Sequence, residues 1–107
     1  MADIRESDWK HLRQLKPVAL DRFCRRILSE IEAVSSGHGK TSHERYLTVY
    51  RLIQNRDREL GQMFDDLKRS NAMLKLFLLR RTGLLTDDEW GGFSDEIKDV
   101  YEQIYNI

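Results

Sequence analysis

The sequence has one cysteine, Cys24, and one proline, Pro17, among 107 residues. A single thiol excludes an internal disulfide framework and every zinc motif that needs several cysteines. A single proline leaves long stretches free to form uninterrupted helix. No run of about 18 apolar residues, the length that marks a membrane-spanning helix, occurs anywhere. The first residues, Met1-Ala2-Asp3-Ile4-Arg5-Glu6, are charged and carry no apolar stretch of the kind found in secretory leaders. A cytoplasmic protein without membrane contact is therefore expected. Net charge is also missing: 18 Lys and Arg balance 18 Asp and Glu, so no overall basic excess points to nucleic acid or to a membrane surface. The length accommodates one hydrophobic core, and a single helical domain over residues 1–107 is expected.

What is present favours helix. Leucine occurs 14 times, and the β-branched valine and threonine 4 times each. From Pro17 to Val34 the apolar residues Leu20, Phe23, Cys24, Ile27, Leu28, Ile31 and Val34 recur in steps of three and four, which places one apolar stripe on one helical face. Pro17 suits a first turn, so a separate short helix over Ser7 to Leu15, with Trp9 and Leu12 inward, is expected ahead of it. Residues 35–40, Ser-Ser-Gly-His-Gly-Lys, form a linker with nothing apolar to anchor it. Thr41 and Glu44 then have the spacing of a capping box.

The next segment carries a heptad seam at Tyr46, Tyr50, Ile53, Asp57, Leu60, Phe64, Leu67, Asn71, Leu74 and Leu78, interrupted by the polar Asp57 and Asn71. A continuous helix from Ser42 to Arg81 would be about 60 Å long. The remaining helices would cover it only thinly, and a second chain would be needed. A break at Ser70-Asn71, with Lys68 and Arg69 ending one helix and Ser70 or Asn71 capping the next, gives a compact bundle without that demand. Gly83, after Arg80 and Arg81, is placed for a left-handed helix stop, with Leu84 folding back. Thr86 and Glu89 form a second capping box, and Leu85 with Trp90 has the spacing of a hydrophobic staple. Gly91-Gly92 weakens the helix that follows, which is expected to bend or restart at Ser94 and continue its stripe through Phe93, Ile97, Val100, Tyr101 and Ile104.

The neutral total conceals two halves. Residues 1–82 hold 17 basic and 11 acidic side chains, a balance of +6, whereas residues 83–107 hold Lys98 against seven acids, a balance of −6. Either the acidic segment docks on the basic body, or it competes with an anionic partner for it. Arginines group at Arg22, Arg25 and Arg26 and again at Arg51, Arg56 and Arg58. Guanidinium groups suit carboxylates and phosphates, yet the solvated face of an amphipathic helix accounts for these equally well.

Little in the sequence carries chemistry. Gly39-Lys40-Thr41 resembles the end of a phosphate loop, but the glycine required five positions earlier is Val34, and no strand precedes it. His38, His43 and Glu44 lack the spacing of ligands on one helical face. Cys24, on the apolar stripe, reads as a core residue rather than a nucleophile. Asp57 either turns outward beside Arg56 and Arg58, or lies inward against Arg22, Arg25 or Arg26; Arg22, Arg25, His43, Arg56 and Asp57 are accordingly the candidate polar site. No catalytic residue, cofactor or metal is expected.

The fold expected is all-α, an antiparallel bundle of four to five helices whose core comes from the Leu20–Val34 stripe, the Tyr46–Leu67 seam and the Ile97–Ile104 stripe, with a dimer as the further option. The function expected is non-enzymatic protein–protein interaction or self-association. Its candidate surface is Met73, Leu74, Leu76, Phe77 and Leu78, a helix apolar on more than one side and so either central in the bundle or covered by a partner. The alternative is a nucleic-acid-associated regulator that uses the arginine groups.

Overall fold

Leucine-rich segments with two well-formed capping boxes assemble into helices alone. The computed structural model describes residues 4–105, within which lie α1 (Glu6–Ser35), α2 (Ser42–Phe64), a single 3-10 turn (Arg69–Asn71), α3 (Ala72–Arg81), α4 (Asp87–Gly91) and α5 (Asp95–Tyr105). No strand occurs among the described residues, and the helices pack as an all-α bundle. Met1, Ala2 and Asp3 of the charged leading segment, and the final two residues of the expected domain, lie outside the described residues. No helix among the described residues is long and apolar enough to cross a membrane.

The expected separation before Pro17 does not occur: α1 runs for 30 residues with Pro17 inside it, about 45 Å at the helical rise. An interior proline removes one backbone hydrogen bond and costs about 3 kcal/mol. Leu12 and Leu15 before it and Ala19 and Phe23 after it are all buried, so a continuous helix is what delivers both segments to one core.

The break in the long seam occurs, but earlier and by another device. α2 stops at Phe64, and Asp66 adopts a positive φ of 54°, a conformation aspartate tolerates better than most residues. Asn71 does not cap α3 with its side chain. Its Oδ1 accepts from the Lys68 amide at 3.0 Å and its Nδ2 donates to the Asp66 carbonyl at 2.8 Å, which clasps the turn. Lys68 and Arg69 consequently lie beyond α2 rather than in its last turn. Arg69 is drawn to the start of α1, where it donates to the Ile4 carbonyl at 2.9 Å and pairs with Glu6.

α3 is the central helix, with Ala72, Leu76, Phe77 and Leu79 buried. Its end is a complete Schellman motif: Leu84 N–H donates to the Leu79 carbonyl, Gly83 N–H to the Arg80 carbonyl, and Gly83 has φ +74°. Leu84, fully buried, supplies the accompanying apolar contact. Both capping boxes form with both of their hydrogen bonds. The acidic C-terminal segment docks on α3 through aromatic rings, Phe77 meeting Tyr101 edge-on at 5.3 Å and Tyr105 at 6.0 Å, while within the segment Trp90 meets Tyr101 at 5.1 Å. The Arg80 and Arg81 guanidinium groups cover Trp90 and Tyr105.

Core packing is confined to one end of the molecule. Between Phe23 and Met63 no residue is buried. The Cα radius of gyration is 16.8 Å, with extents of 52 × 25 × 25 Å, against about 13 Å for a compact chain of this length. The outer halves of α1 and α2 thus form a two-helix arm that extends beyond the bundle.

Candidate interaction face

The arm is an antiparallel pair: Phe23 faces Phe64 across 6.5 Å, Arg56 Nη2 lies 2.9 Å from Glu30, and Arg45 donates to the Ser35 carbonyl at 2.9 Å. Its contact line consists of half-buried residues, Ile27, Glu30, Ile31 and Val34 on α1 and Arg45, Thr48, Val49, Leu52 and Arg56 on α2. That line runs one residue ahead of the heptad seam. Tyr46, Tyr50 and Ile53, expected in the core, are instead 62%, 52% and 46% exposed. The physical reason is the pair of arginines. Arg45 and Arg56 lay their aliphatic stems in the contact line while their charged ends find partners on or beside α1: the Ser35 and Gly37 carbonyls for Arg45, and both Glu30 oxygens for Arg56.

Leu28, 65% exposed, stands one residue past Ile27 just as Ile53 stands one past Leu52. One residue turns a side chain by about 100°, and in antiparallel helices the same advance along each chain rotates both toward the same side of the pair. Leu28, Tyr46, Tyr50 and Ile53 therefore share one face of the arm. The His43, Tyr46 and Tyr50 rings follow one another along it, with centroids 6.5 and 6.4 Å apart. Asp57, next in the seam, is exposed.

The surface expected on α3 is mostly internal. Leu76 and Phe77 are 0% and 2% exposed and Met73 and Leu78 are half-buried, so the bundle itself meets the apolar demand of α3 and leaves only Leu74 outside, at 60%. Nor does the structure gather the candidate polar residues into one site. Arg22 reaches α4, donating to the Leu84 carbonyl at 2.9 Å and to both Glu89 oxygens at 2.5 and 3.0 Å. These hydrogen bonds hold the Glu89 carboxyl down at about 2 and raise Arg22. Arg25 pairs with Asp21 on the α1 surface, and His43 lies beside Tyr46. Arg56 is held by Glu30 and Glu59, its hydrogen bonds lowering the Glu30 carboxyl and raising its own pKa. The neighbouring Arg26 donates to the Thr82 and Gly83 carbonyls at the end of α3. Three of the six grouped arginines, Arg22, Arg26 and Arg56, thus serve as internal fasteners, while Arg25, Arg51 and Arg58 lie on the helix surfaces.

Cys24, expected in the core, is only half-buried. Among the described residues no three His, Cys, Asp or Glu side chains converge as metal ligands. Two open depressions of about 460 and 510 Å³ lie along α1, both beside the candidate residues Arg22 and Arg25, and a smaller one of about 200 Å³ lies at the arm's tip beside His38, Lys40 and Arg45. The residues that sequence reasoning misplaced were visible in it as a heptad seam; the missing signal was that a parallel line containing two arginines could win the contact with α1. No family model matches the chain, and no curated protein or solved structure shows significant similarity to it.

Proposed function

We propose that this chain is a non-enzymatic protein-interaction module, in which the bundle of α3, α4, α5 and the inner halves of α1 and α2 holds out the α1–α2 arm for binding through Leu28, Tyr46, Tyr50 and Ile53. One observation carries this reading: four large apolar side chains, each close to half exposed or more, share one face of an arm that has no buried residue. Such a face, with tyrosines and a polar rim, has the composition of an interface core. Three of the six arginines that would serve a nucleic-acid-binding role, Arg22, Arg26 and Arg56, are held by internal carboxylates and carbonyls, which favours the protein-binding reading over that alternative, as does the docked acidic segment.

The test is capture from cell extract with the native chain and with a Tyr50→Asp, Ile53→Asp variant whose circular dichroism and melting match the native chain. Retention of specific proteins, or of further copies of the chain, by the native form alone supports the proposal. Identical recovery by both forms overturns it.

A further inference from the structure

We infer that the occupant of the arm's apolar face is a second copy of this chain, seated antiparallel about a two-fold axis near Arg51 and Leu52; this rests on the interaction reading above and names its partner. The seam itself supplies the argument. Tyr46, Tyr50, Ile53 and Asp57 alternate in steps of four and three, so in heptad terms they occupy d, a, d and a. An antiparallel pair sets each a opposite a d of its mate. Tyr50 then meets the partner's Ile53, and Tyr46 meets the partner's Asp57. The one charged residue of the seam thereby falls opposite a tyrosine hydroxyl able to donate to it, and the match repeats itself on the other side of the axis, as an isologous interface requires. A parallel pairing sets Asp57 against the partner's Asp57, two like charges in contact.

Area and charge agree with this occupant. At about 200 Å² for a large side chain, exposures of 62%, 52%, 46% and 65% leave roughly 450 Å² of apolar side chain on each copy. Two such faces with the adjoining, exposed His43 and Gln54 reach about 1,200 Å², the lower end of specific interfaces. A formal net charge of zero leaves no overall repulsion between copies. The dimer is accordingly a weak one, with a dissociation constant on the order of micromolar.

Sedimentation of the full chain over a concentration series tests this, with Tyr50→Asp and Ile53→Asp as interface variants and Leu74→Asp as a control on an exposed apolar residue outside the arm. A concentration-dependent dimer for the native chain and the control, and a monomer for both interface variants at unchanged melting temperature, is expected. Orientation is read in a Cys24→Ser background with a short thiol cross-linker: Gln54→Cys, which flanks the seam about 7.5 Å along the axis from its own counterpart, should join to it. His43→Cys should not, because antiparallel register separates the two copies of that position by about 25 Å along the axis. A native chain that stays monomeric, a dimer that survives Ile53→Asp, or cross-linking at position 43 in place of 54 overturns the proposal. If the native chain is monomeric while extract capture still depends on Tyr50 and Ile53, only the second copy is refuted and the interaction face stands. If capture is also unaffected, both fail.

Discussion

Replacing Glu89 by glutamine isolates the ion pair that fastens α4 to α1. The Glu89 carboxylate accepts from both terminal nitrogens of Arg22 and also from the Thr86 amide that it caps, at 2.8 Å. Glutamine can preserve the capping contact but removes the charge. The carboxyl falls from 4.5 to about 2, a shift whose ceiling is about 3 kcal/mol. The pair is not fully enclosed, with side-chain exposures of 33% for Arg22 and 19% for Glu89, and solvent screening lowers the expected loss to about 1–2 kcal/mol. For a chain of this size that is a fall in melting temperature of roughly 5–15 °C at neutral pH. The sign with pH follows from linkage: a carboxyl depressed in the folded state stabilises fully above its unfolded pKa and loses that contribution as pH falls toward the folded value. Urea unfolding followed by tryptophan fluorescence, run on both forms from neutral pH downward, should therefore show a constant gap above about pH 4.5 that closes by about pH 2. A gap that is absent at neutral pH, or that does not narrow in this interval, refutes the role given to the pair.

Asp8 is 2% exposed, and its two oxygens accept from the Ser94 amide at 2.8 Å and hydroxyl at 2.7 Å. Asp8→Ala strands both donors and should cost about 1–3 kcal/mol in chemical denaturation. The adjacent glycines should respond in opposite directions. A Cβ on Gly92 would lie 2.6 Å from His11 Nε2, which donates to the Glu89 carbonyl at 2.9 Å, whereas a Cβ on Gly91 meets nothing within 4 Å. Calorimetry should find Gly92→Ala destabilised by about 1–3 kcal/mol and Gly91→Ala unchanged or stabilised by up to about 1 kcal/mol. At Gly83, where φ is +74°, alanine should cost about 1 kcal/mol.

Short-range features of the fold were legible in the sequence because their causes are local. The Thr41/Glu44 and Thr86/Glu89 boxes and the Gly83 stop depend on residues within a turn or two of one another, and each forms as its spacing predicts. Features set by competition between distant segments were not. Pro17 reads as a helix start, yet burial on both sides of it keeps α1 continuous. The Tyr46, Tyr50, Ile53 seam reads as core because periodicity reports that a face is apolar, not which face a neighbouring helix will cover. Arg45 and Arg56 settled that competition by anchoring the adjacent line to the Ser35 and Gly37 carbonyls and to Glu30. The Asp8–Ser94 bond, spanning 86 positions, left no local trace at all. The apolar cluster on α3 was recognised as needing cover; that the cover is intramolecular follows only from the packing of α1, α2 and the aromatic residues of α5 against it.

The account turns on whether the arm's apolar face is where the protein associates. Amide hydrogen exchange on dilute and concentrated samples of the native chain measures this residue by residue. The account predicts added protection at high concentration along α1 from Cys24 to Ser35 and along α2 from Ser42 to Arg58, with exchange in α3 and α5 unchanged. Protection that rises on α3 around Leu74 instead, or exchange that is independent of concentration everywhere while extract-bound chain gains no protection on the arm, would contradict it.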